Sequence, residues 1–270
     1  MYKCLIQLLS VAILSSGCGP AGKLLSVKPG QAEYDANCDY LDAMPPKLKV
    51  RAQKPEKYFD KDIPKVVHQI WFGPPKAGYE VKTAQWREFA KKFGYNYRLW
   101  TEADLPQIRK FVKAENLELI EEFMRRGNFW SVSDILRLEL LSQQGGVYAD
   151  FDVAPPSDEG GLLDLEDVMP MRGLILVTES NGRTIGNSSL FVCNNFMASS
   201  PGHPLITYLV AHFQENVNAW QKQCPPENKA CNDSAMYQTG PFYVSRALTG
   251  VVSVLPISFT HALNMTDEDK

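Results

Sequence analysis

Between Ser133 and Val153 the chain places Asp134 and Arg137 among leucines, then Asp150 and Asp152 shortly after Gly145-Gly146. At about 100° per residue, Ile135, Leu136, Leu138, Leu140 and Leu141 point in nearly every direction, as in a helix buried all round. On that wheel Asp134 falls between Leu138 and Leu141, and Arg137 between Leu140 and Leu141. Three residues apart on a helix, the two can meet on one face. Charges so placed require each other or a ligand, because an unpaired buried charge is strongly unfavourable. A structural ion pair and a ligand-binding pair both satisfy that requirement. Glu139, between Ile135 and Leu136, reads as a structural partner.

The next seven residues, Val147 to Val153, read as a strand. With period-2 geometry Val147, Ala149, Phe151 and Val153 face a core, while Tyr148, Asp150 and Asp152 face the other way. Two carboxylates side by side repel, so a divalent cation or a shared proton must offset them. Hard oxygen ligands with no accompanying histidine cluster suit Mn²⁺ or Mg²⁺ rather than zinc.

The flanking elements position these groups. Lys65 to Phe72 is a β-branched run that ends at Gly73-Pro74-Pro75 and reads as a buried strand. Lys82 to Phe93 has helical spacing and stops at Gly94; Tyr95 to Trp100 alternates as a strand; Thr101 with Asp104 forms a capping-box pattern. This β-α-β-α order predicts an α/β fold with a mostly parallel sheet covered by helices on both faces, which binds ligands at the carboxyl ends of its strands. Helices are predicted over Leu117–Arg126, Ser131–Gln144, Pro204–Gln221 and Phe242–Leu248, and strands over Leu174–Thr178, Ser189–Cys193 and Val251–Leu255. No internal repeat and no Gly-rich phosphate loop is present.

Over roughly Asp62 to Leu255 the sequence resembles glycosyltransferase family 32, a DXD-motif group of mannosyltransferases, α1,4-sugar transferases and, more distantly, the glucosylating domains of clostridial toxins. The resemblance rests on Ile63 to Gly73 (IPKVVHQIWFG), Ser133 to Arg137 (SDILR) and Gly145 to Val153 (GGVYADFDV). It implies a GT-A, Rossmann-like single catalytic domain that takes a UDP- or GDP-linked sugar. The acceptor would be a glycan, glycolipid or protein hydroxyl, the metal Mn²⁺ or Mg²⁺, and the configuration retained.

By the same resemblance Trp71 lies against the nucleotide base, where a core tryptophan capping the sheet is the alternative. Asp134 and Arg137 contact the donor sugar and its diphosphate, Asp150 meets the ribose or sugar side, and Asp152 is the direct metal ligand. Asn195 faces the acceptor or occupies a turn, and Gln238-Thr239-Gly240-Pro241 lines the pocket. A residue near the C-terminus, His261 or Ser258, completes the metal or diphosphate site. His68, His203 and His212 share no ligand spacing and read as structural. Two other readings stand beside this one. A haloacid-dehalogenase-type phosphatase also carries DxD after an apolar strand, although Ala154 stands where that motif has Thr or Val. A non-catalytic carbohydrate-binding relative would keep the fold alone.

Composition sets the remaining bounds. The chain has 270 residues, 28 basic against 31 acidic side chains and a net charge of −3, so it lacks the basic balance that nucleic-acid binding requires. Residues 1–18 combine Lys3, a short apolar run and small residues before Cys18, the build of a secretory leader or of a lipoprotein leader acylated at Cys18. The lipoprotein leader would associate the N-terminus with a membrane, whereas the secretory leader is cleaved off. Residues 19–62 read as a tether, 63–258 as the catalytic domain and 259–270 as a C-terminal tail. Sequons at Asn187, Asn232 and Asn264 suit a eukaryotic secretory lumen, as does the supply of nucleotide sugars in a Golgi-type compartment. Beyond the leader the cysteines are Cys38, Cys193, Cys224 and Cys231, and a Cys224–Cys231 bond would close the shortest loop.

Overall fold

The first strand, β1 (Val66–Ile70), is followed by α1 (Tyr79–Phe93) and β2 (Asn96–Trp100). The computed structural model describes residues 62–75, 78–169, 171, 173–178, 184–185, 189–190, 192–225 and 227–248. The proposed leader, the tether up to residue 61, the strand expected at Val251–Leu255 and the tail lie outside those residues.

In α1, Trp86, Phe89 and Ala90 form the buried stripe, and Gly94 ends the helix in the left-handed conformation, its N–H bonding Ala90 O. A 3₁₀ turn at Glu102–Asp104 carries the capping box expected of Thr101 and Asp104. Helices α2 (Leu105–Ile108), α3 (Ala114–Arg126) and α4 (Phe129–Gln143) precede β3 (Gly146–Ala149). A short ribbon, β4 (Ser157–Asp158) and β5 (Gly161–Leu162), then α5 (Leu165–Val168), lead to β6 (Leu174–Thr178). A second ribbon, β7 (Thr184–Ile185) and β8 (Ser189–Leu190), precedes the long β9 (Val192–Ser199). The chain closes through α6 (Pro204–Ala211), α7 (Phe213–Gln221), α8 (Lys229–Asn232), α9 (Ala235–Gln238) and α10 (Pro241–Leu248).

The central sheet has the order β2-β1-β3-β9-β6. β1 pairs in parallel with both β2 and β3, whereas β9 runs antiparallel to β3 and β6. The mixed α/β architecture with a mostly parallel sheet is therefore as expected, with one reversed strand. Alternation sends Val67, Val147, Ala149 and Ala198 into a core with Trp86 and Phe89 of α1. Tyr148 and Met197 point to the opposite core, with Leu136, Leu138, Leu140 and Leu141 of α4. Both faces are covered, so α4 is enclosed and its residues from Asp134 to Ser142 are all buried. Among the described residues, no helix is long and apolar enough to cross a membrane.

Several sequence expectations need correction. The strand read as Val147–Val153 stops at Ala149, because Val153 N turns back to Asp150 O at 3.1 Å. The strand expected at Ser189–Cys193 instead runs as β9 to Ser199. Its apolar alternation is interrupted by Asn194-Asn195, and Asn195, for which a turn was one expectation, lies within the strand. The helix expected over Pro204–Gln221 breaks at His212, where φ is −114° and ψ 9°. Cys224 and Cys231 are bonded as expected, Cys193 is buried, and Cys38 lies outside the described residues.

Candidate active site

Two glycines set the approach of α4 to β3. Gly145 and Gly146 have φ of 65° and 99°, and a Cβ on Gly146 would meet Val66 Cγ1 at 2.4 Å and Val66 O at 2.7 Å. Only glycine supplies both the left-handed turn and the close passage. Buried His68 accepts from Trp100 Nε1 at 3.1 Å through Nδ1, and its Nε2 lies 3.0 Å from Gly145 O. Those contacts require a neutral imidazole with the proton on Nε2, and burial lowers its pKa to about 4. His203 and His212 also serve the fold: His203 Nδ1 accepts from Leu205 N, and His212 stacks on Tyr208.

At the carboxyl end of β3 the predicted charges converge. Asp134 Oδ1 pairs with Arg137 Nη2 at 2.9 Å and accepts from Asn194 Nδ2 at 2.7 Å. Thr239 Oγ1 donates to Asp134 Oδ2 at 3.0 Å. Burial raises the Asp134 pKa, opposed by Arg137 and by the Thr239 and Asn194 donors. Several donors aimed at two oxygens are the surroundings of a carboxylate. Gly240 is part of the seat, because a Cβ there would lie 3.1 Å from Asp134 Oδ2.

Arg137 spans the two acids. Its Nη2 lies 3.2 Å from Asp150 Oδ1, its Nη1 donates to the carbonyl of Asn194, and its guanidinium covers the Tyr148 ring at 4.4 Å. Burial opposes its charge, but Asp150, Tyr148, Asp134 and Asp152 more than offset that and hold its pKa above the usual arginine value. The Tyr148 hydroxyl donates to Asp150 Oδ1, and Asp150 N donates to Asn195 O at 2.7 Å. Asp150 keeps 30% of its side chain open. Desolvation of its inner side raises its pKa to about 6, which Arg137 opposes and Asp152 reinforces.

The acidic pair is therefore not two neighbours on one strand face. Asp150 turns inward to Arg137, while Asp152 stands exposed on the turn that follows. Phe151 was expected to face a core. Its ring instead stacks on Tyr79 at 5.1 Å and 13°, and meets Trp71 edge-on at 4.9 Å. Trp71 is half-buried just beyond β1, 5.1 Å from the Tyr79 ring, with Nε1 donating to Gly73 O. Trp71 thus shares the carboxyl edge of the sheet with the acids and does not lie deep in a core.

Glu139 is the structural partner expected, fully buried and accepting from Asn116 Nδ2 at 2.7 Å and Lys113 N at 3.2 Å. His261 and Ser258 lie outside the described residues. Asn195 lies on β9 and meets the acid loop through its carbonyl. Sequence reasoning did not assign the contacts of Thr239 and Asn194 with Asp134, of the Tyr148 hydroxyl with the Asp150 carboxylate, of Gln69 Nε2 with the Asp150 carbonyl at 3.5 Å, or of Tyr79 with Phe151. Thr239 stood in a flagged turn; the others gave no local signal.

Among the described residues, no group of three His, Cys, Asp or Glu side chains is arranged to hold a metal by itself. Asp152 and the open side of Asp150 still provide hard oxygens. Mg²⁺-like cations are commonly held by one or two carboxylates together with substrate phosphates, so the donor set fits an ion shared with a diphosphate.

A family model described as the TcdA/TcdB catalytic glycosyltransferase domain matches residues 100–165, the stretch that holds α4, β3 and the acidic turn. An uncharacterized glycosyltransferase of Acanthamoeba polyphaga mimivirus is 22% identical over 215 residues, covering 76% of each chain. The subversion of eukaryotic traffic protein A of Legionella pneumophila is 26% identical over 187 residues, 60% of this chain but only 27% of that protein. Of the solved structures, the PaToxG glycosyltransferase aligns over 71% of both chains at 19% identity with a TM-score of 0.46. A UDP-bound glycosyltransferase domain from the YGT toxin aligns over 70% of this chain and 77% of its own, at 11% identity and a TM-score of 0.43. The family match and the glycosyltransferase-named viral relative support a glycosyltransferase enzyme.

Proposed function

We propose that the chain transfers a sugar from a UDP- or GDP-linked donor to a hydroxyl of a glycan, glycolipid or protein, with Mn²⁺ or Mg²⁺ and retention of configuration. One observation carries the reading: Asp134, Arg137 and Asp150 form a buried ion cluster at the carboxyl edge of the sheet, with exposed Asp152 and half-buried Trp71 beside it. That edge is where open α/β sheets bind nucleotides.

Departure of the sugar leaves negative charge on the diphosphate. A cation held by Asp152, with Asp150, would supply the Lewis acid that stabilises this charge. Arg137 acts by holding Asp134 and Asp150 in place, since its guanidinium is already occupied by both acids and by the Asn194 carbonyl. Asp134, held by Asn194 and Thr239, fixes the guanidinium of Arg137 and through it the inner side of Asp150. Trp71 provides an aromatic surface for the base.

The test is a panel of UDP- and GDP-sugars with and without Mn²⁺, reading release of nucleoside diphosphate. Metal-dependent release from one donor, lost in Asp152→Asn, supports the proposal; full release by that variant overturns the site. We place the enzyme in a secretory, Golgi-type lumen, with acylation at Cys18 in a bacterial envelope as the alternative. Fractionation of the full chain against Cys18→Ala distinguishes the two.

A further inference from the structure

Resting on the donor-binding reading above, we infer that Phe151 is a positioning residue that ties the metal-side acids to the base-side aromatics, so that nucleotide and divalent cation bind cooperatively.

Asp150, Phe151, Asp152 and Val153 form a turn closed by Val153 N donating to Asp150 O at 3.1 Å, with Phe151 and Asp152 at its corners. Both ends of the turn are fixed. Asp150 N donates to Asn195 O of β9 at 2.7 Å, and Val153, itself buried, has its carbonyl bound by Trp86 Nε1 of α1 at 2.8 Å.

Between those anchors the one large side chain reaching outward is Phe151. Its ring lies on Tyr79 at 5.1 Å and against Trp71 at 4.9 Å. Trp71 is itself held at the end of β1, its N–H bonding Trp100 O at 2.8 Å. The corner bearing Asp152 is therefore oriented partly by an aromatic triad that includes the residue proposed to receive the base.

A base stacking on Trp71 must fit beside the rings of Tyr79 and Phe151, and whatever position it selects for Phe151 it also selects for the peptide leading to Asp152. A ligand shifts an equilibrium only through its differential affinity for the available arrangements, and the resulting coupling is reciprocal. Aromatic pairs attract beyond the effect of their buried area, and that attraction biases a two-residue turn corner.

UDP and GDP binding is measured by calorimetry on the full chain with and without saturating Mn²⁺, since the ion is read as shared with the diphosphate. Mn²⁺ is expected to tighten one nucleotide, and Phe151→Ala to lower that tightening about tenfold while leaving the melting temperature near that of the unaltered protein. Phe151→Tyr should restore it. Tyr79→Ala, which leaves the turn sequence intact, should lower the tightening in the same way. A tightening unchanged in both alanine variants, or nucleotide binding on which Mn²⁺ has no effect, overturns the inference alone. If the unaltered protein binds neither nucleotide with or without Mn²⁺, the donor-binding reading fails and the inference falls with it.

Discussion

Asp134 and Asp152 lie in the same site, yet their surroundings are opposite. Asp134 is buried with Arg137, Asn194 and Thr239 all directed at it, whereas Asp152 is exposed on a turn corner. A charge sealed among fixed donors belongs to the scaffold, because moving it would leave the donors unsatisfied as well. One left open to solvent can exchange water for a ligand at little cost to the fold. The comparison teaches that the predicted constellation is divided by depth: an inner part that sets geometry and an outer part that meets substrate.

The largest expected effect comes from breaking the inner part. Arg137→Met would leave two acids facing each other without their shared partner, and removing one side of a buried pair costs about 3–5 kcal/mol. Urea denaturation checks this, and a loss under about 1 kcal/mol would mean the cluster is not holding the site together. Asp152→Asn should show the reverse pattern. Its donor turnover should fall by roughly 10²–10³-fold, as when one group stabilising developing charge is removed, with stability within about 0.5 kcal/mol.

Acid provides a third probe, close to the inner part but not within it. The folded-state pKa of His68 is lowered to about 4 from 6.5. Between those values the unfolded chain binds the proton and the folded chain does not. Stability from this residue is thus fully present above about pH 6.5 and is lost as pH falls toward 4, by up to about 3 kcal/mol. Acids with raised folded pKa values, Asp150 among them, act with the opposite sign. The His68 share is therefore read as the difference in the stability-versus-pH slope between the unaltered protein and His68→Gln, and equal slopes would refute it. The smallest expected effect is that of Thr239→Val, which keeps the shape but removes one donor to Asp134 and should cost about 2 kcal/mol. A chemical-denaturation midpoint unchanged by that variant would show that the C-terminal half does not hold the acid.

Much of the scaffold was legible locally. The Gly94 stop and the Thr101–Asp104 capping box depend on interactions within a few residues, while the all-round leucines of α4 and the glycine pair at 145–146 show in their residue types alone that a helix is enclosed and that a left-handed turn follows it. The proximity of Asp134 and Arg137 was equally readable, since three helical residues bring two side chains together whatever surrounds them.

Other features depended on distant segments. The residues from Asp150 to Val153 alternate like a strand, yet the parallel partner β1 ends at Ile70, and β9 and Trp86 instead bind the turn's two ends. A period of two in the sequence cannot reveal whether a neighbouring strand extends far enough to pair. Asn194 gave no local signal of its role, and β9 places it against Asp134, sixty residues away.

From sequence alone came the residue types, their helical spacing, the alternation of core and edge strands, and hence an α/β sheet with acids at its carboxyl edge. Tertiary structure alone decided which acid faces inward, that Phe151 joins Trp71 and Tyr79, and that Thr239 reaches Asp134 across 105 positions. Local preference is encoded over a few neighbouring residues, whereas a buried charge finds its donors only after the chain has closed around it.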